Sequence, residues 1–192
     1  MLFGAVFMTF KLENVFKKYK KNYVLERFSY EFNEGLYLLI GPNGSGKSTT
    51  LKIISKMINP SNDNFSITKV KSAYLCEKFE LGNQKVLSFL KSVKKLNNSK
   101  INLKEELKKW NIPNKYIANL SKGNKQKCGI LMMKLAETEI YLFDEPTDAL
   151  DQISIELFVE FINELIIRKK TILIATHEKE YFKSLQYVEV KF

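Results

Sequence analysis

The stretch Gly41-Pro42-Asn43-Gly44-Ser45-Gly46-Lys47-Ser48-Thr49 decides the fold class, because it matches the phosphate-loop spacing G-x-x-x-x-G-K-[ST] at every fixed position. Its three glycines permit a tight turn in which successive backbone N–H groups point at a polyphosphate. Lys47 supplies a positive charge for the β- and γ-phosphates, and the Ser48 hydroxyl is a ligand for Mg²⁺. We therefore predict that residues 41–49 bind a nucleoside triphosphate.

The residues on either side of this loop support the prediction. Residues 36–40 form an apolar run that predicts a buried strand, and residues 47–55 have a helical pattern. A strand, a glycine-rich loop and a helix in this order bring the helix N-terminus against the phosphates. The structural alternative is an ordinary Gly/Ser turn, which requires neither neighbour.

The composition is that of one globular domain, residues 1–192, with 45% hydrophobic and 27% charged residues. No apolar run is long enough to cross a bilayer, and the apolar start has no basic leader typical of a signal peptide. Met8 is an alternative start, which would make residues 1–7 dispensable. Cys76 and Cys128 show no metal-site spacing and predict no disulfide framework, so we expect a reducing cytoplasm.

The net charge of +10 alone does not indicate a nucleic-acid partner. Of 31 basic residues only Arg27 and Arg168 are arginines, whereas specific nucleic-acid sites favour the arginine fork. We therefore expect no specific nucleic-acid site, and a solvated lysine surface compatible with anionic lipid headgroups.

Strand and helix patterns alternate along most of the chain. Predicted strands cover residues 9–15, 28–32, 36–40, 65–68, 72–75, 139–143, 171–175 and 187–192. Predicted helices cover 47–55, 153–168 and 178–184, with Ile153, Leu157, Phe161 and Leu165 on one side of the second. The fold class is therefore α/β, a phosphate-loop NTPase core with a mainly parallel sheet and an N-terminal antiparallel β portion.

Residues 78–118 have a different character, lysine-rich and helical. Leu87, Leu90 and Val93 can share one face, as can Leu103, Leu107 and Trp110, while Asn102 is a candidate N-cap for the second helix and Pro113 closes it. We interpret this stretch as a small helical subdomain inserted into the core, extending toward the helix that follows.

A second candidate site lies at the end of the strand that precedes Asp144 and Glu145. Asp144 is placed to hold the Mg²⁺ shell opposite Ser48, and Glu145 to polarise the water that attacks the γ-phosphate. An Asp-Glu pair after a strand is also a common solvated loop start. Its position about 100 residues after a phosphate loop favours the catalytic interpretation.

His177 is the single histidine and follows the predicted strand 171–175. A lone histidine is more often a structural or surface residue. Here we expect its strand to lie beside the strand that ends at Asp144, so that His177 contacts the γ-phosphate and the attacking water.

With these residues in order, the chain resembles the ATP-binding cassette ATPases. The segment Leu120-Ser121-Lys122-Gly123-Asn124 is similar to the signature loop of that family, and it opens a helix whose N-terminus can bind a phosphate. Ser121 lies 23 residues before Asp144, which lies 33 before His177, as in the family. The resemblance implies that Ser121, Lys122, Gly123 and Asn124 act on ATP held by a second copy of the chain.

The same resemblance implies roles for further residues. Tyr19 would stack on adenine, and Glu77 would contact Mg²⁺ and report to the transport partner. Asp148, Ala149, Leu150 and Asp151 would form the loop that reaches across the dimer. The nucleotide-binding residues that it implies, besides Tyr19, are Gly41, Pro42, Asn43, Gly44, Ser45, Gly46, Lys47, Ser48 and Thr49. The catalytic residues that it implies are Lys47, Glu145 and His177, and the metal ligands are Ser48, Glu77 and Asp144.

Four positions depart from the common pattern of the family. Lys122 replaces a glycine, Asn124 and Glu77 replace glutamines, and Asp148 replaces a serine. Glu77 adds a negative charge near the metal. The lysine and glutamate variants resemble those of small bacterial exporter subunits, and the main catalytic residues are all present.

The resemblance implies the MgATP-hydrolysing subunit of a transporter, working as a head-to-tail homodimer on a separate transmembrane permease subunit. We expect a cytoplasmic protein, peripheral on the inner face of the membrane and docked through residues 78–118 near Glu77. One alternative is a soluble cassette ATPase that remodels a cytoplasmic assembly or nucleic acid, and another is a nucleotide-gated module without hydrolysis. The resemblance also implies that the membrane subunit chooses the substrate, and the signature variants favour export.

Overall fold

The computed structural model describes residues 9–20 and 22–192, so the alternative start at Met8 lies outside the described residues. The strands are β1 (Phe10–Tyr19), β2 (Asn22–Phe32), β3 (Gly35–Ile40), β4 (Ser66–Ile67), β5 (Ser72–Leu75), β6 (Ile140–Asp144), β7 (Thr171–Ala175) and β8 (Tyr187–Lys191). The α-helices are α1 (Lys47–Ile54), α2 (Val86–Leu96), α3 (Leu103–Lys109), α4 (Lys122–Leu135) and α5 (Gln152–Ile167). In this described part of the chain, no helix combines the length and the apolar character that a membrane crossing requires.

The larger sheet has five strands in the order β5-β6-β7-β3-β8, and every pair in it is parallel. Parallel strands place their carboxyl ends at one edge. Three loops of interest therefore start at that edge, because β3 runs into the phosphate loop, β6 ends at Asp144, and β7 ends two residues before His177. The predicted α/β fold and the predicted neighbourhood of β6 and β7 are confirmed.

A smaller antiparallel sheet has the order β2-β1-β4. Its first two strands are longer than the predicted 9–15 and 28–32. The register between them shifts at three places, and Asn14 and Arg27 have φ of 51°. These irregularities interrupt the two-residue alternation that would have marked the full strands.

Both faces of the parallel sheet are covered by apolar side chains. One face packs with α4 and α5 through a cluster that includes Leu38, Phe143, Phe158 and Ile174, and the other packs with α1 and the small sheet. Successive residues of a strand point to opposite faces, so β6 contributes Phe143 to one cluster and Leu142 to the other. This double burial explains why β3, β6 and β7 are continuous apolar runs.

The prediction for the apolar side of α5 is wrong at Ile153, which is 70% exposed. The buried stripe of this helix centres on Phe158, Ile162 and Leu165. At about 100° per residue, Ile153 lies roughly 130° around the helix from the centre of that stripe and so points to solvent. Leu157, at the edge of the stripe, is half-buried.

The helices predicted within residues 78–118 are present as α2 and α3. Leu90, Leu103, Leu107 and Trp110 are buried, and the Asn102 side chain accepts a hydrogen bond from the Lys104 N–H at 3.1 Å as the predicted N-cap. In place of the predicted helix 178–184 there is a four-residue 3₁₀ turn, Lys179–Phe182, anchored by buried Phe182.

Candidate active site

A cavity of about 530 Å³ opens at the carboxyl edge of the parallel sheet. It is lined by Tyr19, Val24, Asn43, Gly44, Ser45, Gly46, Lys47, Ser48, Thr49, Glu77, Glu145, Asp148 and His177. Apart from Val24, all of these are residues that the sequence analysis singled out. The cavity thus brings together groups from β1 to His177, which are separated by most of the chain.

The phosphate loop has the backbone conformation that its glycines allow. Gly44 has φ of 80° and Gly46 has φ of 113°, in the region that side-chain-bearing residues rarely adopt. A Cβ at Gly46 would also lie 2.7 Å from the Leu25 side chain. The loop can therefore take this tight shape only with glycine at position 46.

Lys47 lies inside the loop and is 5% exposed. Its Nζ donates hydrogen bonds to the carbonyl oxygens of Gly41, at 2.7 Å, and Pro42, at 3.0 Å. An ammonium has three protons to donate, so one remains for an anion in the cavity.

Ser48, Asp144 and Tyr74 form a chain of hydrogen bonds beneath the loop. Ser48 Oγ donates to Asp144 Oδ1 at 2.8 Å, and the Tyr74 hydroxyl donates to Asp144 Oδ2 at 3.0 Å. Burial raises the pKa of Asp144 above its ordinary value, while these two hydrogen bonds act in the opposite direction. Burial, and then the Asp144 charge, raise the pKa of Tyr74.

Tyr74 is the residue of this site that the sequence analysis missed as a functional group. Its strand was predicted, but nothing in that prediction identified the strand beside it. The pairing of β5 with β6 supplies the missing information, because it places Tyr74 in register with Leu142, two residues before Asp144.

Glu145 and His177 lie at the ends of neighbouring strands. Glu145 has φ of 47°, and its backbone N–H donates to the carbonyl of Ala175 at 2.9 Å, which ties the start of its loop to β7. The distance from His177 Nε2 to Glu145 Oε1 is 3.2 Å, and from His177 Nε2 to Asn43 Oδ1 it is 2.8 Å. The three side chains thus form a small polar cluster over the loop.

The pKa of Glu145 is raised to about 7, mainly by burial and next by the nearby charge of Asp148. A carboxylate with a pKa near neutrality can accept a proton from water more readily than an ordinary glutamate. The geometry and the pKa of Glu145 both suit a general base.

The donors in the cavity fit a magnesium-bound triphosphate. Ser45 Oγ is buried and has no hydrogen-bond partner among residues 9–20 and 22–192, so it is free to donate to a phosphate oxygen. Ser48 and Asp144 offer a hydroxyl and a carboxylate, and Mg²⁺ in nucleotide sites uses few protein ligands besides phosphates and water. No group of three or more His, Cys, Asp or Glu side chains suited to holding a metal ion occurs in the described ranges.

Tyr19 and Glu77 lie at the rim of the cavity. The Tyr19 side chain is 46% exposed, with Lys17 Nζ 5.4 Å from the centre of its ring, and Glu77 is exposed. An exposed aromatic ring at this rim is available to stack on a base.

The segment Ser121–Asn124 does not line this cavity. Ser121 caps α4, because its Oγ accepts a hydrogen bond from the Asn124 N–H at 3.3 Å, and Lys122 is exposed. A separate hollow of about 420 Å³ is lined by Asn111, Ser121, Gly123, Asn124, Lys127, Ala149, Leu150 and Asp151. Within one chain, the segment 121–124 thus contacts the loop 148–151 rather than the phosphate loop.

Three contacts fasten the start of α4 to the loop that follows Glu145. A Cβ at Gly123 would lie 2.6 Å from the Ala149 carbonyl oxygen, so the two backbones touch. Gln126 Nε2 donates to the Pro146 carbonyl at 2.9 Å, and the distance from Lys127 Nζ to Asp151 Oδ2 is 2.8 Å.

Asp151 serves both partners of this junction. Its Oδ1 caps α5 by accepting from the Ser154 N–H at 2.9 Å, while Oδ2 pairs with Lys127. Hydrogen bonds from Lys127 and then Ser154 lower the pKa of Asp151 to about 2. The carboxylate is therefore charged at neutral pH.

Solved structures share this fold over nearly the whole chain. A putative ABC transporter ATP-binding protein from Pyrococcus furiosus has a TM-score of 0.78 at 24% identity, covering 96% of this chain and 97% of that one. The dimeric structure of MJ0796, a bacterial ABC transporter cassette, has a TM-score of 0.77 at 24% identity, covering 95% and 94%. At this level of identity the likeness concerns the fold.

Sequence comparisons identify relatives as well. An uncharacterised ABC transporter ATP-binding protein of Methanocaldococcus jannaschii, MJ1023, is 35% identical over 91% of this chain and 70% of its own length. The uncharacterised ABC transporter ATP-binding protein YybJ of Bacillus subtilis is 30% identical over 90% of this chain and 87% of its own. The model of the family described as "ABC transporter" matches residues 25–148. The chain therefore belongs to the ABC transporter family, and its relatives there are ATP-binding proteins.

Proposed function

We propose that the chain, as a single cassette of residues 1–192, hydrolyses MgATP to drive a separate membrane-spanning subunit, and that it works as a head-to-tail pair of copies. Each nucleotide would lie between the phosphate loop of one copy and Ser121–Asn124 of the other. The chain would then act at the inner face of the membrane, as a peripheral cytoplasmic protein.

The observation that carries this proposal is the separation of two anion-binding features within one chain. The phosphate loop opens into one cavity, while Ser121 caps α4 over a different hollow. A 14-residue helix such as α4 has a positive N-terminal end, and Ser121 Oγ still has a proton to donate. A second copy in head-to-tail orientation would supply the phosphate that this end lacks.

Within each site the chain's own residues have distinct tasks. Lys47 and Ser45 would hold phosphate oxygens, and Tyr19 would stack on the base. Mg²⁺, held by Ser48 and Asp144 with Glu77 nearby, would neutralise charge on the β- and γ-phosphates.

Hydrolysis requires a base and a second polar contact near the γ-phosphate. Glu145, with its raised pKa, would accept the proton of the attacking water. His177, whose Nε2 lies 2.8 Å from Asn43 Oδ1, would contact the γ-phosphate and orient that water.

The membrane-spanning partner would dock on residues 78–118, next to Glu77. A groove of about 370 Å³ there is lined by Phe79, Leu81 and Ile117 among others, and Glu77 at the cavity rim lies two residues before its first lining residue. Such an arrangement would carry the state of the metal site to the partner. The membrane-spanning partner would determine which substrate is carried.

The test is Glu145→Gln, which keeps the size of the side chain and removes the base. We expect MgATP binding to remain, turnover to fall by at least about 100-fold, and size-exclusion chromatography with MgATP to show a stable dimer. Glu156→Gln is the matched control, because Glu156 is exposed on α5 and its acceptor oxygen is retained in glutamine. A variant that remains monomeric with MgATP and hydrolyses like wild type would overturn the proposal.

A further inference from the structure

Asp144 is a buried carboxylate whose direct side-chain hydrogen-bond partners are two hydroxyl groups, with the charge of Lys52 acting on it from a greater distance. It is 2% exposed, and among residues 9–20 and 22–192 no lysine or arginine nitrogen forms an ion pair with it. Its two oxygens instead accept one hydrogen bond each, Oδ1 from Ser48 and Oδ2 from Tyr74. A buried charge without such partners would be strongly disfavoured.

The sheet holds the Tyr74 hydroxyl in place. Tyr74 pairs in register with Leu142, and side chains two residues apart share a face, so Tyr74, Leu142 and Asp144 lie on the same side of the sheet. The ring of Tyr74 packs against the cluster that contains Leu142 and Leu51. The hydroxyl therefore reaches Asp144 from β5, while Ser48 reaches it from α1.

We propose that Tyr74 is a positioning residue for the magnesium site, which fixes the plane of the Asp144 carboxylate by holding Oδ2 and so keeps Oδ1 directed at Ser48. This inference rests on the proposed function, because it concerns the metal bound with the nucleotide. A carboxylate held at one oxygen only can turn about its Cβ–Cγ bond. When a hydrogen-bond partner that orients a metal-site carboxylate in this way is mutated, the affinity for the metal typically falls by about 10- to 100-fold.

The experiment removes the hydroxyl alone, with Tyr74→Phe. Binding of the fluorescent nucleotide mant-ATP is measured in EDTA and then as MgCl₂ is added, so the readout is binding rather than turnover. We expect the MgCl₂ concentration at half-effect to rise about 10-fold, while affinity in EDTA stays that of wild type, because the phosphate loop and Lys47 are untouched.

Tyr141→Phe is the matched control. Tyr141 lies on β6, next to Leu142, and its buried hydroxyl donates to the Ala136 carbonyl at 2.5 Å, so this variant also loses one buried hydrogen bond in the same sheet. Thermal melts of both variants measure how much each lost hydroxyl lowers the melting temperature. We expect Tyr141→Phe to leave the MgCl₂ dependence unchanged, whatever its melting temperature.

The outcomes separate the inference from the function on which it rests. If Tyr74→Phe responds to MgCl₂ like wild type, or loses affinity equally in EDTA and MgCl₂, Tyr74 does not position the metal site and the inference is wrong. An equal shift in Tyr141→Phe would also overturn it. If wild-type protein fails to bind mant-ATP under both conditions, the proposed function itself fails.

Discussion

Glu145 and His177 meet across two parallel strands, with Nε2 of the histidine 3.2 Å from Oε1 of the glutamate. Neighbouring strands β6 and β7 deliver these side chains to the same edge, and the Glu145 N–H is bonded to the last residue of β7. The separation of a candidate base from its neighbour is thus set by sheet pairing rather than by a mobile loop.

The raised pKa of Glu145 predicts a pH dependence of hydrolysis. Below about pH 7 Glu145 is protonated and cannot accept a proton, so kcat should rise as the pH increases through about 7. Removing the neighbouring charge with Asp148→Asn should lower the pKa of Glu145 and move this rise to lower pH. The measurement is kcat between about pH 5.5 and about pH 8.5.

Glu145→Gln provides the control for that profile, since its residual activity should lack the rise. An Asp148→Asn profile that coincides with wild type would show that the Asp148 charge does not reach Glu145 during turnover.

The contact between Gly123 and Ala149 predicts the effect of one methyl group. In Gly123→Ala the new Cβ would lie 2.6 Å from a backbone oxygen, so α4 and the loop 148–151 must move apart. Overpacking of this kind costs about 1–3 kcal/mol. We expect mant-ATP binding by the monomer to persist, while MgATP-driven pairing and hydrolysis fall about 10-fold or more. Unchanged pairing in size-exclusion chromatography would contradict this expectation.

The ion pair between Lys127 and Asp151 predicts an asymmetric response to mutation. The Lys127 side chain is 8% exposed, so Asp151→Ala leaves a buried ammonium unpaired and also uncaps α5. Urea denaturation should show a loss of about 1–3 kcal/mol, because the Asp151 side chain is itself 60% exposed and water screens part of the ion pair. The double variant Lys127→Met with Asp151→Ser removes both charges and keeps a cap, so it should lie within about 1 kcal/mol of wild type.

Acid provides a second check on this pair. The pKa of Asp151 is lowered in the folded protein, so its stabilising effect is complete above its unfolded pKa, about 4, and is lost as pH falls through about 2. The stability gap between wild type and Asp151→Ala should therefore narrow over that interval. A constant gap would mean that the ion pair contributes nothing.

Truncation to alanine at two positions of α5 should have very different effects on the free energy of unfolding. Phe158 is fully buried, with its ring 5.2 Å from that of Phe143, so Phe158→Ala should destabilise the fold by about 3–5 kcal/mol. Ile153 is exposed, so Ile153→Ala should change stability by less than about 0.5 kcal/mol. Chemical denaturation measures both, and an equal loss in the two variants would contradict the described face of the helix.

The sequence predicted features that depend on local order along the chain. The phosphate loop, the strands around Asp144 and His177, and the cap at Asn102 each rest on a few consecutive residues, and the structure contains all of them. The roles of these residues in nucleotide chemistry remain predictions. The residue pattern correctly predicted that the phosphate loop, Asp144 and His177 lie at the same edge of the sheet.

The features that the sequence missed depend on neighbours that are distant in the chain. Tyr74 became part of the site only through the pairing of β5 with β6, which no local pattern encodes. The predicted row of α5 fails at Ile153 because residues spaced by exactly four drift about 40° around the helix at each step, and Ile153 is the end of the row farthest from the buried stripe. The bulges at Asn14 and Arg27 shortened the predicted strands for a similar reason, since alternation fails where the register shifts.

The left-handed backbone at Glu145 sets stability against the proposed catalytic role of this residue. A residue with a side chain held at φ of 47° is disfavoured by about 1–2 kcal/mol relative to ordinary backbone, and glycine would relieve that strain. Glycine, however, has no carboxylate to offer a water molecule. Selection for thermal resistance alone should therefore favour glycine at position 145 and remove the proposed base, because the strained backbone there costs stability that only the proposed role of the carboxylate offsets.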